Sequence, residues 1–153
     1  ITEWRVAGIR SDDMIVDITR RKLRSRFPDK GLVLLGGVDE KKLVEKMCEA
    51  NIYVSPSHIE NSPNSLCEAM LIGMPCIATF AGGTGSLLSN GEEGILIQDG
   101  DPWSMAGAIL ELFRNRELAE HYGRKARMKA LVRHDKEKIV TDLLHIYHEI
   151  MNK

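Results

Sequence analysis

Short, unbroken apolar runs alternate with amphipathic stretches along this chain, and that rhythm constrains its fold more than any other feature. The runs are Trp4–Ile9 (WRVAGI), Leu32–Leu35 (LVLL), Ile52–Ser55 (IYVS), Pro75–Thr79 (PCIAT) and Gly94–Ile97 (GILI). Each is too short for a helix and is bounded by glycine, proline or polar residues, so each reads as a strand. Asp12–Phe27, Glu40–Glu49 and Pro63–Gly73 lie between them and read as helices, the first closed by Pro28. Strand and helix in strict alternation predict a parallel sheet with helices on both faces and right-handed crossovers. The runs are continuous rather than alternating, as strands covered on both faces should be. Three further helices are expected. Pro102 follows Asp101 at a first-turn position, with Ala106, Ile109, Leu110 and Phe113 at helical spacing. Glu117–Val132 comes next. Lys136–Met151 carries Ile139, Val140, Leu143, Leu144, Tyr147 and Ile150 in one stripe, which should bury against something.

Bulk properties exclude several classes. With 153 residues, 43% apolar and 28% charged, the chain suits one soluble domain. A net charge of −1 provides no global field for nucleic acid or an anionic surface. No apolar run reaches the roughly 18 residues of a membrane span, and no signal-peptide pattern opens the chain. Three cysteines, Cys48, Cys67 and Cys76, lack CxxC spacing. They read as reduced, partly buried thiols of a cytosolic protein rather than a disulfide framework or zinc site. His121, His134, His145 and His148 have no ligand spacing, so no metal is expected. The basic run Arg20, Arg21, Lys22, Arg24 and Arg26 reads as a solvated helix face.

In open parallel sheets, ligands bind beyond the carboxyl ends of the strands. The loops there are Gly8–Ser11, Gly36–Asp39, Ser55–Ser62 and Phe80–Gly85. None carries GxGxxG before a helix or GxxxxGK[ST], so neither a dinucleotide fingerprint nor a P-loop is present. The informative loop reads SPSHIENS and continues into PNSLCEAMLIG. Ser62 is a good N-cap and Pro63 a good first helical residue. The N–H groups of Asn64, Ser65 and Leu66, with the helix dipole, would then suit a phosphate. At about 100° per residue, Asn64, Ser65 and Glu68 share one face, and Leu66, Ala69, Met70 and Gly73 share the other, which should pack on the sheet. Glu68 lies too deep to be a capping-box residue. It can accept hydrogen bonds from vicinal hydroxyls such as those of a ribose. Glu60, in the loop above, can accept from a second hydroxyl set. Two carboxylates flanking a phosphate site match a nucleotide diphosphate sugar. His58, in the same loop, is in most such settings merely solvated.

Glu60 and Glu68 are separated by seven residues, then Ala-Met, Gly-x-Pro, an apolar strand and Gly-Gly follow. This ordered stretch, ENSPNSLCEAMLIGMPCIATFAGG, resembles family 4 of the retaining glycosyltransferases. The likeness continues upstream in LGGVDEKKLVEKMCEANIYVSPS and downstream in GILIQDGDPWSMAGAILELFRN. It covers about 130 of the 153 residues. The resemblance implies a Rossmann-like doubly wound parallel sheet with C-terminal helices, one half of a GT-B fold. Residues 1–153 would form a single nucleotide-sugar-binding domain, truncated at its N-terminus, in a cytoplasmic or membrane-peripheral bacterial enzyme of polysaccharide or glycolipid synthesis. Glu60 would hold donor-sugar hydroxyls at the reacting centre, and Glu68 the ribose. The stretch Asn61, Ser62, Asn64, Ser65 and Leu66 would contact sugar and diphosphate, and Gly36 to Val38 the base. No cofactor and no metal are implied. The acceptor, a sugar or glycolipid, would be bound mainly by an N-terminal domain absent from this chain, leaving the chain alone inactive. Two positions depart from the family pattern: Asn61-Ser62-Pro63-Asn64 replaces Gly-Phe-Gly-Leu, and Ser86 stands where many members carry Glu. Two alternatives share the scaffold: half of a nucleotide-sugar epimerase, and a non-catalytic nucleotide-binding or regulatory module.

Overall fold

The computed structural model describes residues 3–24 and 31–152. Its parallel strands fall into two sheets rather than the single sheet expected, and the chain divides into two units, Ile1–Glu49 and Ala50–Lys153. In the first unit, β1 (Trp4–Ala7) pairs in parallel with β2 (Leu32–Gly36), Trp4 opposite Leu32 and Ala7 opposite Gly36. β1 ends at Ala7, within the apolar run Trp4–Ile9, because Gly8, at φ +85, turns out of the extended region. α1 (Met14–Leu23) buries Val16, and α2 (Glu40–Cys48) is capped by Asp39, whose carboxylate accepts from the Lys42 N–H at 2.8 Å. Phe27 and Pro28, the expected close of the first helix, lie outside the described residues, as does Arg26. These two strands are mostly half-buried or exposed, so burial on both faces does not hold for them.

The second unit fulfils that expectation at its centre. β3 (Tyr53–Ser55), β4 (Cys76–Thr79) and β5 (Gly94–Ile97) are parallel in that order, and every residue of β4 is buried. Register places Tyr53 beside Cys76 and Cys76 beside Gly94, so β4 and β5 end together at Thr79 and Ile97, and β3 ends one residue earlier, with Ser55 beside Ala78. α3 (Asn64–Ile72) packs on β3 and β4. α4 (Thr84–Leu87) is a single turn that no periodicity could reveal. α5 (Pro102–Arg114) begins where Pro102 predicts, and Asp101 caps it by accepting from the Trp103 and Ser104 N–H groups at 3.1 and 3.0 Å. α5 and α6 (Arg116–Arg133) pack against β4 and β5. Ile77, Ile97, Ala108, Leu112, Ala119 and Tyr122 form the core between them.

α7 (Lys136–Met151) has the length its stripe predicts, yet it buries no residue. Among the described residues nothing covers Ile139, Leu143 or Tyr147, so the expected partner for that stripe is not supplied by them.

Tight packing of α3 on α6 depends on glycine. Gly73 ends α3 at φ +89, and Gly123 of α6 sits so close that a β-carbon there would overlap the Gly73 carbonyl. Gly123→Ala should therefore destabilise the fold. Overpacking costs about 2 kcal/mol, and the better helix propensity of alanine returns about 1 kcal/mol. Denaturant unfolding should show a net loss of about 1 kcal/mol; an unchanged midpoint would contradict the packing account.

Candidate functional site

The loop Ser55–Ser62 leaves the carboxyl end of β3, where the adjoining strand ends can hold it. Thr79, the last residue of β4, donates through Oγ1 to the Ser57 carbonyl at 2.5 Å and to the Ser55 carbonyl at 3.5 Å. On the other flank the Gly83 N–H donates to the Asn61 carbonyl at 2.9 Å. Gly82, at φ +51, presses against the Glu60 carbonyl, leaving no room for a β-carbon. His58 Nδ1 lies 2.5 Å from Asp99 Oδ1, on the connection after β5. None of these tethers was anticipated. Thr79 had one legible signal, a polar residue closing an apolar strand; Asp99 had none.

The half-buried Glu60 turns its carboxylate back on the loop, accepting from the Asn61 N–H at 3.2 Å. Asn61 and Ser62 are exposed. The helix then starts one residue later than the sequence suggests. Pro63, not Ser62, occupies the N-cap position, with an extended backbone at ψ 104 and no side-chain cap. The reason lies in the hydrogen bonds: the Pro63 carbonyl accepts the first helical bonds, from Leu66 N–H at 3.1 Å and Cys67 N–H at 3.2 Å. Leu66 N–H is thus consumed within the helix. Among the described residues, the Asn64 and Ser65 N–H groups have no acceptor, so the expected trio of free amides is a pair.

The rotational reading of α3 holds on its packed side: Leu66, Ala69 and Met70 are buried. On the other side Asn64 is exposed and Glu68 half-buried. Among the described residues the Glu68 carboxylate makes no hydrogen bond or ion pair. Ser65 departs from expectation. Its Oγ lies 2.8 Å from the Tyr53 hydroxyl, so its side chain is engaged and only its N–H remains for a ligand. Burial, partly offset by the Ser65 hydrogen bond, raises the Tyr53 phenol above its ordinary range. Glu60, Asn61, Ser62, Asn64, Ser65, Leu66 and Glu68 thus belong to one unit, around one helix start. Gly36 and Val38 belong to the other unit. There Gly36 ends β2 at φ +66, its N–H donating to the Ile9 carbonyl at 3.0 Å, and Val38 is half-buried beyond it.

Among the described residues no group of three or more His, Cys, Asp and Glu side chains is placed to hold a metal ion. Cys67 and Cys76 are buried, and burial pushes the Cys76 thiol up to about 12, which makes it a poor nucleophile. Cys48 is exposed, contrary to the expectation of partly buried thiols throughout. Among the described residues no helix is long and apolar enough to cross a membrane.

The fold is that of the Rossmann-like, doubly wound halves of GT-B glycosyltransferases. The family described as Glycosyl transferases group 1 matches residues 4–115, and the chain belongs to that family. Its curated relatives include the N-acetyl-alpha-D-glucosaminyl L-malate synthase of Bacillus anthracis, 29% identical over 78% of this chain and 31% of that protein. They also include the phosphatidyl-myo-inositol mannosyltransferase of Mycobacterium leprae, 31% identical over 76% of this chain and 31% of that protein. The chain therefore spans about a third of the length of these relatives. Sucrose-phosphate synthase from Thermosynechococcus elongatus superposes with a TM-score of 0.81 at 23% identity, over 97% of this chain and 38% of that one. Anabaena HepE in complex with UDP superposes at 0.82 and 20%, over 99% of this chain and 41% of that one. These likenesses establish the fold.

Proposed function

We propose that this chain is the donor-binding half of a longer retaining glycosyltransferase, moving a hexosyl group from a nucleotide diphosphate sugar to an acceptor. One observation carries the reading: Glu60 and Glu68 flank the unpaired Asn64 and Ser65 amides within a single unit. The diphosphate would sit on those two amides, favoured by the positive end of the α3 dipole. Glu68, half-buried one turn further in, would accept from the ribose hydroxyls. Glu60 would exchange its Asn61 contact for the hydroxyls of the donor sugar. HepE, a fold neighbour, is bound to UDP in one structure and to UDP-glucose in another, which supports a nucleotide-sugar ligand for this scaffold.

The demanding chemical step is departure of the nucleotide diphosphate. Fixed N–H donors aimed at the developing phosphate charge lower that barrier. Further cationic help and the acceptor site would come from other parts of the enzyme. The scheme uses no protein nucleophile; retention would follow attack on the face the leaving group vacates. Glu60 and Glu68 act by holding the donor rigid, which is worth several kcal/mol when geometry is fixed. Neither a metal nor an organic cofactor is required for this scheme.

Amide NMR during titration with UDP, GDP and ADP tests the reading. One nucleotide should shift the resonances of Asn64, Ser65 and Glu68. Glu68→Gln should weaken it by about tenfold, the loss of a charge-assisted hydrogen bond. Absence of any shift in Asn64–Glu68 with all three nucleotides would refute it.

A further inference from the structure

The Glu60 loop is fixed at its flanks by backbone acceptors, at Ser57 by Thr79 and at Asn61 by Gly83. Between them lies an apex, His58-Ile59-Glu60, that projects into solvent: Ile59 is 93% exposed. Gly82 backs the Glu60 carbonyl, but among the described residues no backbone hydrogen bond holds the His58 and Ile59 peptides that lead into Glu60. The His58 side chain supplies the link that the flanks do not. Its Nδ1 meets Asp99 Oδ1 at 2.5 Å. Asp99 is itself on a firm mount. The Asp101 N–H donates to the Gln98 carbonyl at 3.3 Å across this turn, Gly100 takes φ +78, and Asp101 locks the start of α5. Among the described residues, Asp99 is the only charged group in contact with His58. Glu60 on the same loop engages Asn61, and Asp101 is taken up by Trp103 and Ser104.

We propose that the His58–Asp99 pair is a positioning latch that ties the apex of the Glu60 loop to the β5–α5 connection and so sets affinity for the sugar end of the donor. Its link to the donor rests on the function proposed above; its action on the loop does not. Because Glu60 faces the sugar and Glu68 the ribose, the latch acts on nucleotide sugar and not on free nucleotide. The pair is exposed, which keeps its effect modest.

The test uses the full chain with His58→Ala, Asp99→Ala, the double variant and His58→Gln. Nitrogen-15 relaxation should show the Ile59 and Glu60 amides more mobile in both alanine variants. The double variant should match either single one, as two halves of one interaction require. His58→Gln keeps an N–H donor and should recover order. UDP-glucose, GDP-mannose and ADP-glucose are titrated beside UDP, GDP and ADP. The sugar conjugate that binds should weaken about two- to fivefold in the alanine variants, while its free nucleotide holds its affinity. Apex amides as ordered in Asp99→Ala as in the parent overturn the latch, as do strictly additive effects of the two substitutions. Equal weakening of nucleotide and nucleotide sugar overturns its action on the sugar end. If no nucleotide or sugar conjugate binds the parent chain, the donor reading fails, and the relaxation measurements still decide the latch.

Discussion

Gly82→Ala is expected to lower donor affinity about a hundredfold, the scale of a misplacement of roughly 1 Å in a positioning group. Two effects combine at this position. Gly82 holds φ +51, a region that costs an L-residue about 1–2 kcal/mol. A β-carbon there would also overlap the Glu60 carbonyl, and that obstacle is backbone, not the mobile tip of a side chain. Glu60 and Asn61 must therefore retreat, dragging the carboxylate away from the proposed sugar site and the Asn61 carbonyl off its bond to Gly83. Gly91→Ala provides the control. Gly91 has φ +79 with open space around its missing β-carbon, so it carries the backbone strain without the collision. Calorimetric titration with the nucleotide sugar should show the large loss only in Gly82→Ala, while Gly91→Ala loses only the stability that the backbone strain costs. Equal affinities for the two variants would sink the buttress account.

Local periodicity carried most of the fold. β5 and α7 have the bounds their patterns predict, Gly94–Ile97 and Lys136–Met151, because both stretches are strongly patterned and clearly punctuated. α4 escaped because four residues have no period. The strands and their parallel direction were readable, but their order and the division into two sheets were not: apolar runs state that strands exist and say little about which neighbours they pair with. At the candidate site the helix face of Leu66, Ala69 and Met70 followed from rotation alone. Ser65 did not, because its partner Tyr53 comes from another element. The choice of Pro63 over Ser62 as cap turned on which carbonyl accepts the first helical bond, and both residues suit a helix start. The tethers of the Glu60 loop, Thr79 to Ser57 and His58 to Asp99, join distant stretches of chain. No spacing rule announces them.

Lys129→Met should cost about 2 kcal/mol of stability at neutral pH and progressively less as acid protonates Glu93, the partner's loss leaving a nearly buried carboxylate without its counter-charge. The Glu93 side chain is only 11% exposed. Its Oε2 lies 2.9 Å from Lys129 Nζ and accepts the Ser89 N–H at 2.8 Å, while Nζ also donates to Ser89 Oγ at 2.9 Å. Burial by itself would raise the Glu93 carboxyl; the Lys129 ammonium and the Ser89 donors outweigh it and hold it below its ordinary value. A carboxyl with a depressed folded pKa stabilises the fold fully above its unfolded value of about 4.3, and loses that contribution as pH falls through the folded one. In Lys129→Met the Ser89 N–H still offsets part of the burial cost but the ammonium does not, so protonating Glu93 relieves the variant. Unfolding curves of the parent and variant, taken between neutrality and mild acid, should therefore converge as pH falls, and Glu93→Gln in the Lys129→Met background should recover stability at neutral pH. A gap that stayed constant with pH would mean that Lys129 acts through its methylene packing. The consequence reaches the candidate site through the chain itself: this network fixes Ser89 to Glu93 directly before β5, and β5 delivers Asp99 to the latch.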